Sequence, residues 1–219
     1  MRIRIKFTKN EIVKYLGHLD IMRSFQKCFN RADIKMTYSE GFNPHQKMNF
    51  ALPLGVGISS RAEYLDAEIA DGQDPADICR RLGMAAGIGF DVIAVRELED
   101  NADKGMASVR YASYEVLFDN AYDLNITGYL SRDKIFIQKK TKTGIKDVDV
   151  KAILVDMNMT GRVLSILMKA GSENNLKPEL IAADILTFNG VAFSRDMISI
   201  TRIELYGPDI KPLIDYQTK

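Results

Sequence analysis

Arg2-Ile3-Arg4-Ile5-Lys6-Phe7 alternates cationic and apolar side chains without a break. A period of two is that of a half-buried strand. The elements that come after this strand decide the fold. Across residues 18–32, Leu19, Met22, Phe25, Phe29 and Ala32 recur on one helical face, with Ile21 and Cys28 beside them. Arg23, Lys27 and Arg31 recur every four residues on another face. Gly41 and Pro44 break the chain within 38–45, Tyr-Ser-Glu-Gly-Phe-Asn-Pro-His. Met48 to Leu52 reads as a strand ended by Pro53 to Gly57, and Ala62 to Ile69 as the next strand. Asp74-Pro75 opens a helix to about Met84, since Asp caps and Pro fits the first turn. Gly89 to Leu98 is a fourth strand. The order β-α-β-β-α-β is the ferredoxin-like split unit.

The second half repeats the pattern less cleanly. Strands are expected at Val109–Phe118, Lys134–Lys140, Arg162–Ala170 and Ile198–Tyr206. Helices are expected at Asn120–Leu130 and from Lys177-Pro178 through Leu186, with a short strand or turn over Val148–Asn158. The expected fold is therefore α+β, two tandem ferredoxin-like units with antiparallel sheets. The first spans 1–100, a linker 101–108, and the second, diverged unit 109–219.

The chain of 219 residues has 30 Lys+Arg against 29 Asp+Glu. That balance hides an asymmetry. Residues 1–50 carry ten cationic side chains against four acidic, 51–108 five against eleven, and 132–151 seven against three. Separated charge of this kind marks two binding faces, unless folding mixes the residues into a patchwork. Two cysteines, Cys28 and Cys79, allow neither a disulfide scaffold nor a thiolate zinc site. No run of about 18 apolar residues occurs, and the N-terminus does not read as a signal peptide, so a reduced, cytoplasmic protein is expected.

Three blocks carry a resemblance. They are Tyr15-Leu16-Gly17-His18-Leu19-Asp20-Ile21-Met22-Arg23, Tyr38-Ser39-Glu40-Gly41-Phe42-Asn43-Pro44-His45 and Phe50-Ala51-Leu52-Pro53-Leu54-Gly55-Val56-Gly57. Glu63-Tyr64-Leu65-Asp66, Lys146-Asp147-Val148-Asp149-Val150 and Leu176-Lys177-Pro178-Glu179 add to it. With these the chain resembles the radical SAM-linked uncharacterised family, domain of unknown function 2344, over nearly its whole length. The resemblance implies His18, Asp20, Arg23, Gly41, Phe42, Asn43, Pro44 and His45 as motif residues. It also implies a radical SAM protein as partner, and neighbours concerned with RNA processing and the ribosome.

Radical SAM chemistry holds its iron–sulfur cluster on three closely spaced cysteines. Cys28 and Cys79 cannot build one, so the resemblance places the cluster and S-adenosylmethionine on a separate polypeptide and leaves this chain with no cofactor of its own. Both cysteines otherwise read as small apolar core residues.

Three classes of function stay open. The first is an accessory module that recognises substrate for that partner, either an RNA or a ribosome-associated molecule. Its nucleic-acid candidates are Arg23, Lys27, Arg31, Lys47, Lys139 and Lys140, with Arg2, Arg4, Lys6, Lys134, Lys142 and Lys146 extending the track. Phe42 and Tyr38 are the side chains able to stack on bases. In this reading the acidic 51–108 surface docks the partner. The second class is a metal-independent ribonuclease or RNA-modifying enzyme. Tyr38 or His45 would take the 2′-hydroxyl proton, Lys47 would steady the phosphorane, and His18 is the remaining imidazole. The third is a protein-interaction module that binds no nucleic acid. His18 and His45 read equally as a helix-end residue and a turn-fixing loop residue. Their spacing matches no metal motif, and Gly55-Val56-Gly57 reads as a turn rather than a phosphate loop.

Overall fold

The computed structural model describes residues 1–141, 144–171 and 176–216. It is a mixed α+β fold whose strands pair mostly antiparallel. The chain divides into two compact units: Met1–Arg110 with the segment from Glu204 onward, and Tyr111–Ile203.

The first unit holds β1 (Arg2–Lys9), α1 (His18–Arg31), β2 (Met48–Ala51), β3 (Ser59–Glu68), α2 (Pro75–Ala85), β4 (Val92–Leu98) and the short α3 (Gly105–Ser108). The strand order is β4-β1-β3, with β2 added on β3. Ile3, Ile5 and Phe7 of β1 are fully buried against Ile21, Phe25 and Phe29 of α1 and Ile78 and Leu82 of α2. Phe7 is the hub, with Phe25 at 4.4 Å, Phe50 at 6.1 Å and Phe90 at 6.3 Å between ring centroids. These tilted and edge-on arrangements suit the ring quadrupole. Asp74 accepts from the Ala76 and Asp77 N–H groups, with Pro75 in the first turn, as the sequence predicts for α2.

The other face of β1 is polar and also covered. Arg4 is 1% exposed and makes a two-pronged bond to Asp66, 2.7 and 2.9 Å. It also donates to the carbonyls of Leu213 and Asp103. Lys6 meets Glu204 at 2.5 Å, and the Tyr64 hydroxyl donates to the same carboxylate at 2.6 Å. Residues 101–108, expected as a linker, contain α3, whose Gly105 N–H donates to Asp66 at 2.7 Å. A Cβ on Gly105 would stand 2.9 Å from the Ala51 Cβ and 3.2 Å from Asp66 Oδ2. Close approach of backbone to carboxylate thus selects glycine there.

The second unit holds β5 (Tyr111–Phe118), α4 (Ile126–Ser131), β6 (Phe136–Thr141), β7 (Gly144–Asp149), α5 (Val150–Ile153), β8 (Leu154–Thr160), β9 (Val163–Lys169) and α6 (Pro178–Phe188). The last strand, β10 (Ile198–Tyr206), begins here and lies beside β5. The order is β10-β5-β9-β8, while β6 and β7 form a ribbon of their own. Ala112, Tyr114, Val116 and Phe118 alternate inward from β5, facing the same core as Ile181, Ile185 and Leu186 of α6.

Two expectations change here. The helix expected from Asn120 begins only at Ile126, capped by Asn125, which accepts from the Gly128 N–H. Asp119 takes the Asn120 N–H and the Tyr122 hydroxyl, and such local bonds compete with helix. The segment 148–158 divides into the end of β7, α5 and the start of β8, because Asp149 caps a helical turn by accepting from the Lys151 N–H. No helix among the described residues is long and apolar enough to cross a membrane.

Candidate functional site

The segment 37–47 forms a narrow ribbon projecting from the edge of β3. Thr37 donates to the Glu68 carbonyl and Lys47 to the Thr37 carbonyl, each at 2.9 Å, and Tyr38 bridges Gln46. Ser39 and His45 lock it. The Ser39 N–H donates to the His45 carbonyl at 2.9 Å, and the His45 N–H donates to Ser39 Oγ at 3.1 Å. The Ser39 hydroxyl and His45 Nδ1 share a further bond of 2.9 Å. Gln46, pointing inward, donates to Asn30 of α1 at 2.8 Å. Beyond the lock the chain turns through Glu40-Gly41-Phe42-Asn43-Pro44. Gly41 has φ +112°, a conformation other side chains resist. The Phe42 ring is fully exposed, and Tyr38 is 49% exposed.

The remaining residues singled out from the sequence fall in several places. His18 is the first residue of α1, at its rim, with its ring edge-on to Phe50 at 5.1 Å. Asp20 lies in the same first turn, 3.6 Å from Arg23. Arg23 is exposed on α1, and Lys27 is exposed one turn further along. Lys47 pairs with Glu68 at 3.1 Å, on the side of the ribbon away from Gln46 and α1. Tyr38, His45 and Lys47 therefore share one ribbon. However, His45 Nδ1 is committed to Ser39 and the Lys47 ammonium to Glu68, and His18 stands apart against Phe50.

Arg31 serves the fold. Its Nε and Nη2 donate to the Ala85 carbonyl at the end of α2, at 3.2 and 2.6 Å. Arg2 donates to the Ala102 carbonyl at 2.9 Å, and Arg4 and Lys6 hold the carboxylates of Asp66 and Glu204. These three lie inside the first unit instead of extending a surface track. The acidic segment 51–108 is likewise dispersed. Glu63 and Asp66 are buried, Glu68 is paired with Lys47, and Asp77 accepts from Arg80 and lies 2.8 Å from Arg81.

On the ribbon of the second unit, Lys139 stands opposite Lys146, and Lys140 opposite Ile145. Lys142 lies outside the described residues. Cys28 is buried in the first core with its thiol against the Leu82 carbonyl, and burial pushes its pKa up, as it does for Cys79. Among the described residues no group of three or more His, Cys, Asp or Glu is placed to hold a metal ion. Gly57 has φ +82° and donates to the Lys14 carbonyl, so Gly55-Val56-Gly57 is a turn.

That turn packs against the entry to α1, so the first and third sequence blocks meet. Ile12, Tyr15, Leu19 and Val56 around this junction are all more than half exposed. Sequence reasoning missed the set, because each residue passes as part of an apolar face and only the turn's bond to Lys14 brings Val56 to the others.

The first block thus supplies the α1 entry, the second the locked ribbon, and the third the turn and Phe50. The family described as uncharacterized protein conserved in bacteria, DUF2344, matches residues 2–178. The chain belongs to the DUF2344 family. The matched span includes every element of the first unit up to α3 and the second unit as far as the first residue of α6. No curated protein matches the DUF2344 chain.

Proposed function

We propose that this DUF2344 chain is a non-catalytic recognition module that presents unpaired RNA to a radical SAM partner carrying the reactive cluster. One observation carries the reading: the Ser39–His45 lock holds a projecting ribbon closed while leaving Phe42 wholly in solvent. A large aromatic ring with no packing role, carried on a ribbon already closed at its base, has the form of an anchor. Tyr38 on the same ribbon and the cations Arg23 and Lys27 on α1 give the combination that single-strand binders use, stacking surface with phosphate attraction. The commitment of His45 and Lys47 to Ser39 and Glu68 favours recognition over ribonuclease chemistry.

The exposed Ile12, Tyr15, Leu19 and Val56 are the face we assign to the partner protein, since an apolar group of this kind at the surface marks protein contact. At the level of fold, both strand orders support two ferredoxin-like units, with the β6–β7 ribbon inserted in the second.

The partner is tested by affinity capture from a bacterial lysate with the full chain. Recovery of an iron–sulfur protein that is lost on Tyr15→Asp and Leu19→Asp substitution is the expected result. Equal recovery by the substituted chain, or recovery of no such protein at low salt, overturns the pairing.

A further inference from the structure

The two ring nitrogens of His45 have different surroundings. Nδ1 lies 2.9 Å from Ser39 Oγ and 3.4 Å from the Asn43 carbonyl oxygen. A carbonyl oxygen only accepts. The Ser39 hydroxyl accepts from the His45 N–H at 3.1 Å and has a second lone pair for Nδ1. A proton on Nδ1 thus meets two acceptors, whereas a bare Nδ1 would set its lone pair against the Asn43 carbonyl. The neutral ring therefore carries its proton on Nδ1, and Nε2 is an acceptor. His45 is exposed, and its bonds to the described residues leave Nε2 unused.

An exposed acceptor selects what it meets. Residues 38–45 include no Lys or Arg and one carboxylate, Glu40. A phosphodiester offers only acceptors, so it gains nothing from Nε2. A ribose 2′-hydroxyl offers a proton, and a deoxyribose has none to offer there. Phe42 precedes His45 on the same closed turn, and the three residue steps between them span at most about 11 Å. A nucleotide stacked on Phe42 therefore carries its sugar into the neighbourhood of His45.

We infer that His45 Nε2 accepts a hydrogen bond from the 2′-hydroxyl of the nucleotide stacked on Phe42, and that this contact separates RNA from DNA at the ribbon. The inference rests on the proposed RNA function and deepens it: Phe42 supplies affinity for any base, and His45 reads the sugar. The contact breaks no bond and moves no proton. Ser39 and Asn43 act through His45, holding its ring in the form that accepts at Nε2.

The test measures binding of labelled oligouridine, its deoxy form and its 2′-O-methyl form to the full chain at pH 8, by fluorescence anisotropy. The 2′-O-methyl sugar keeps the oxygen and lacks the proton. The unaltered chain should bind the ribose form about three- to tenfold more tightly than either of the others, the worth of one hydrogen bond. His45→Asn keeps an amide donor for Ser39 and has no counterpart of Nε2. In that variant the preference should vanish while the thermal midpoint holds. A preference that persists in a folded His45→Asn chain overturns the inference, and so does equal binding of the ribose and 2′-O-methyl forms by the unaltered chain. In both cases the Phe42 anchor stands if Phe42→Ala still weakens binding. Binding of none of the three oligonucleotides removes the proposed function itself, and this inference with it. The tautomer is checked without RNA. The chain has two histidines, so nitrogen-15 NMR of the imidazoles separates them, and His45 should carry its proton on Nδ1. A proton on Nε2 of the neutral ring overturns the inference.

Discussion

Arg31 and Arg81 cap each other's helices. Arg31, in the last turn of α1, donates to the Ala85 carbonyl of α2, and Arg81 of α2 donates to the Ala32 and Asp33 carbonyls just past α1, both at 3.1 Å. Each guanidinium thus meets the negative end of the neighbouring helix dipole as well as carbonyls that lack helical partners. Arg81 is the better shielded, so Arg81→Met should cost about 1–2 kcal/mol and Arg31→Met less than about 1 kcal/mol. Urea unfolding of the two variants measures this. Equal and negligible effects would show that the crossed caps contribute nothing.

Arg4 and Asp66 form a buried pair in which either partner alone is an unneutralised charge. Arg4→Met should destabilise by about 3–5 kcal/mol, and Asp66→Leu by a similar amount. The double variant should recover much of that stability. A double-mutant cycle with near-additive energies would contradict the pairing.

Gly105 carries no left-handed strain, yet its N–H must reach Asp66. Gly105→Ala should cost about 1–3 kcal/mol through overpacking against Ala51 and Asp66. The check is the thermal midpoint, which should fall while the far-ultraviolet spectrum is kept.

Two tyrosines should set the alkaline limit of stability. Burial, then the charge of Glu204, raises the pKa of Tyr64 well above its ordinary value of 10. Burial and the hydrogen bond to Asp184 do the same for Tyr129. Both stay protonated in the folded chain where the unfolded chain releases the proton. Their contribution is therefore complete below about pH 10 and lost as pH rises above it. Tyr64 and Tyr129 should ionise only on unfolding. Tyrosinate absorbance rising to full amplitude while the native circular dichroism persists would refute this.

Legibility from sequence followed the range of the interactions. The opening alternation was readable because burial of Ile3, Ile5 and Phe7 on one face needs only period two. The fate of Arg4 and Lys6 was not, since their partners Asp66 and Glu204 lie 62 and 198 positions away. A basic strand next to a basic helix looks like a phosphate track until the carboxylates return to it. The α2 start was visible in Asp74-Pro75, whereas the late start of α4 depends on Asp119 taking local bonds. At the site, the breakers Gly41 and Pro44 marked a loop. The lock closing it depends on the pairing of Tyr38 with Gln46, which aligns Ser39 with His45, and no periodicity records that.

The reading as a recognition module stands most directly on the binding of labelled oligouridine to the intact chain and to Phe42→Ala. Base stacking on an aromatic ring is worth about 1–3 kcal/mol, so affinity should drop about tenfold or more. The thermal midpoint should not move, because the ring packs against nothing. Ser39→Ala, which leaves Phe42 in place but opens the lock, should weaken binding less. If Phe42→Ala binds the RNA as tightly as the unaltered chain, or if the unaltered chain does not bind it at low salt, the ribbon is not an RNA anchor and the central proposal is wrong.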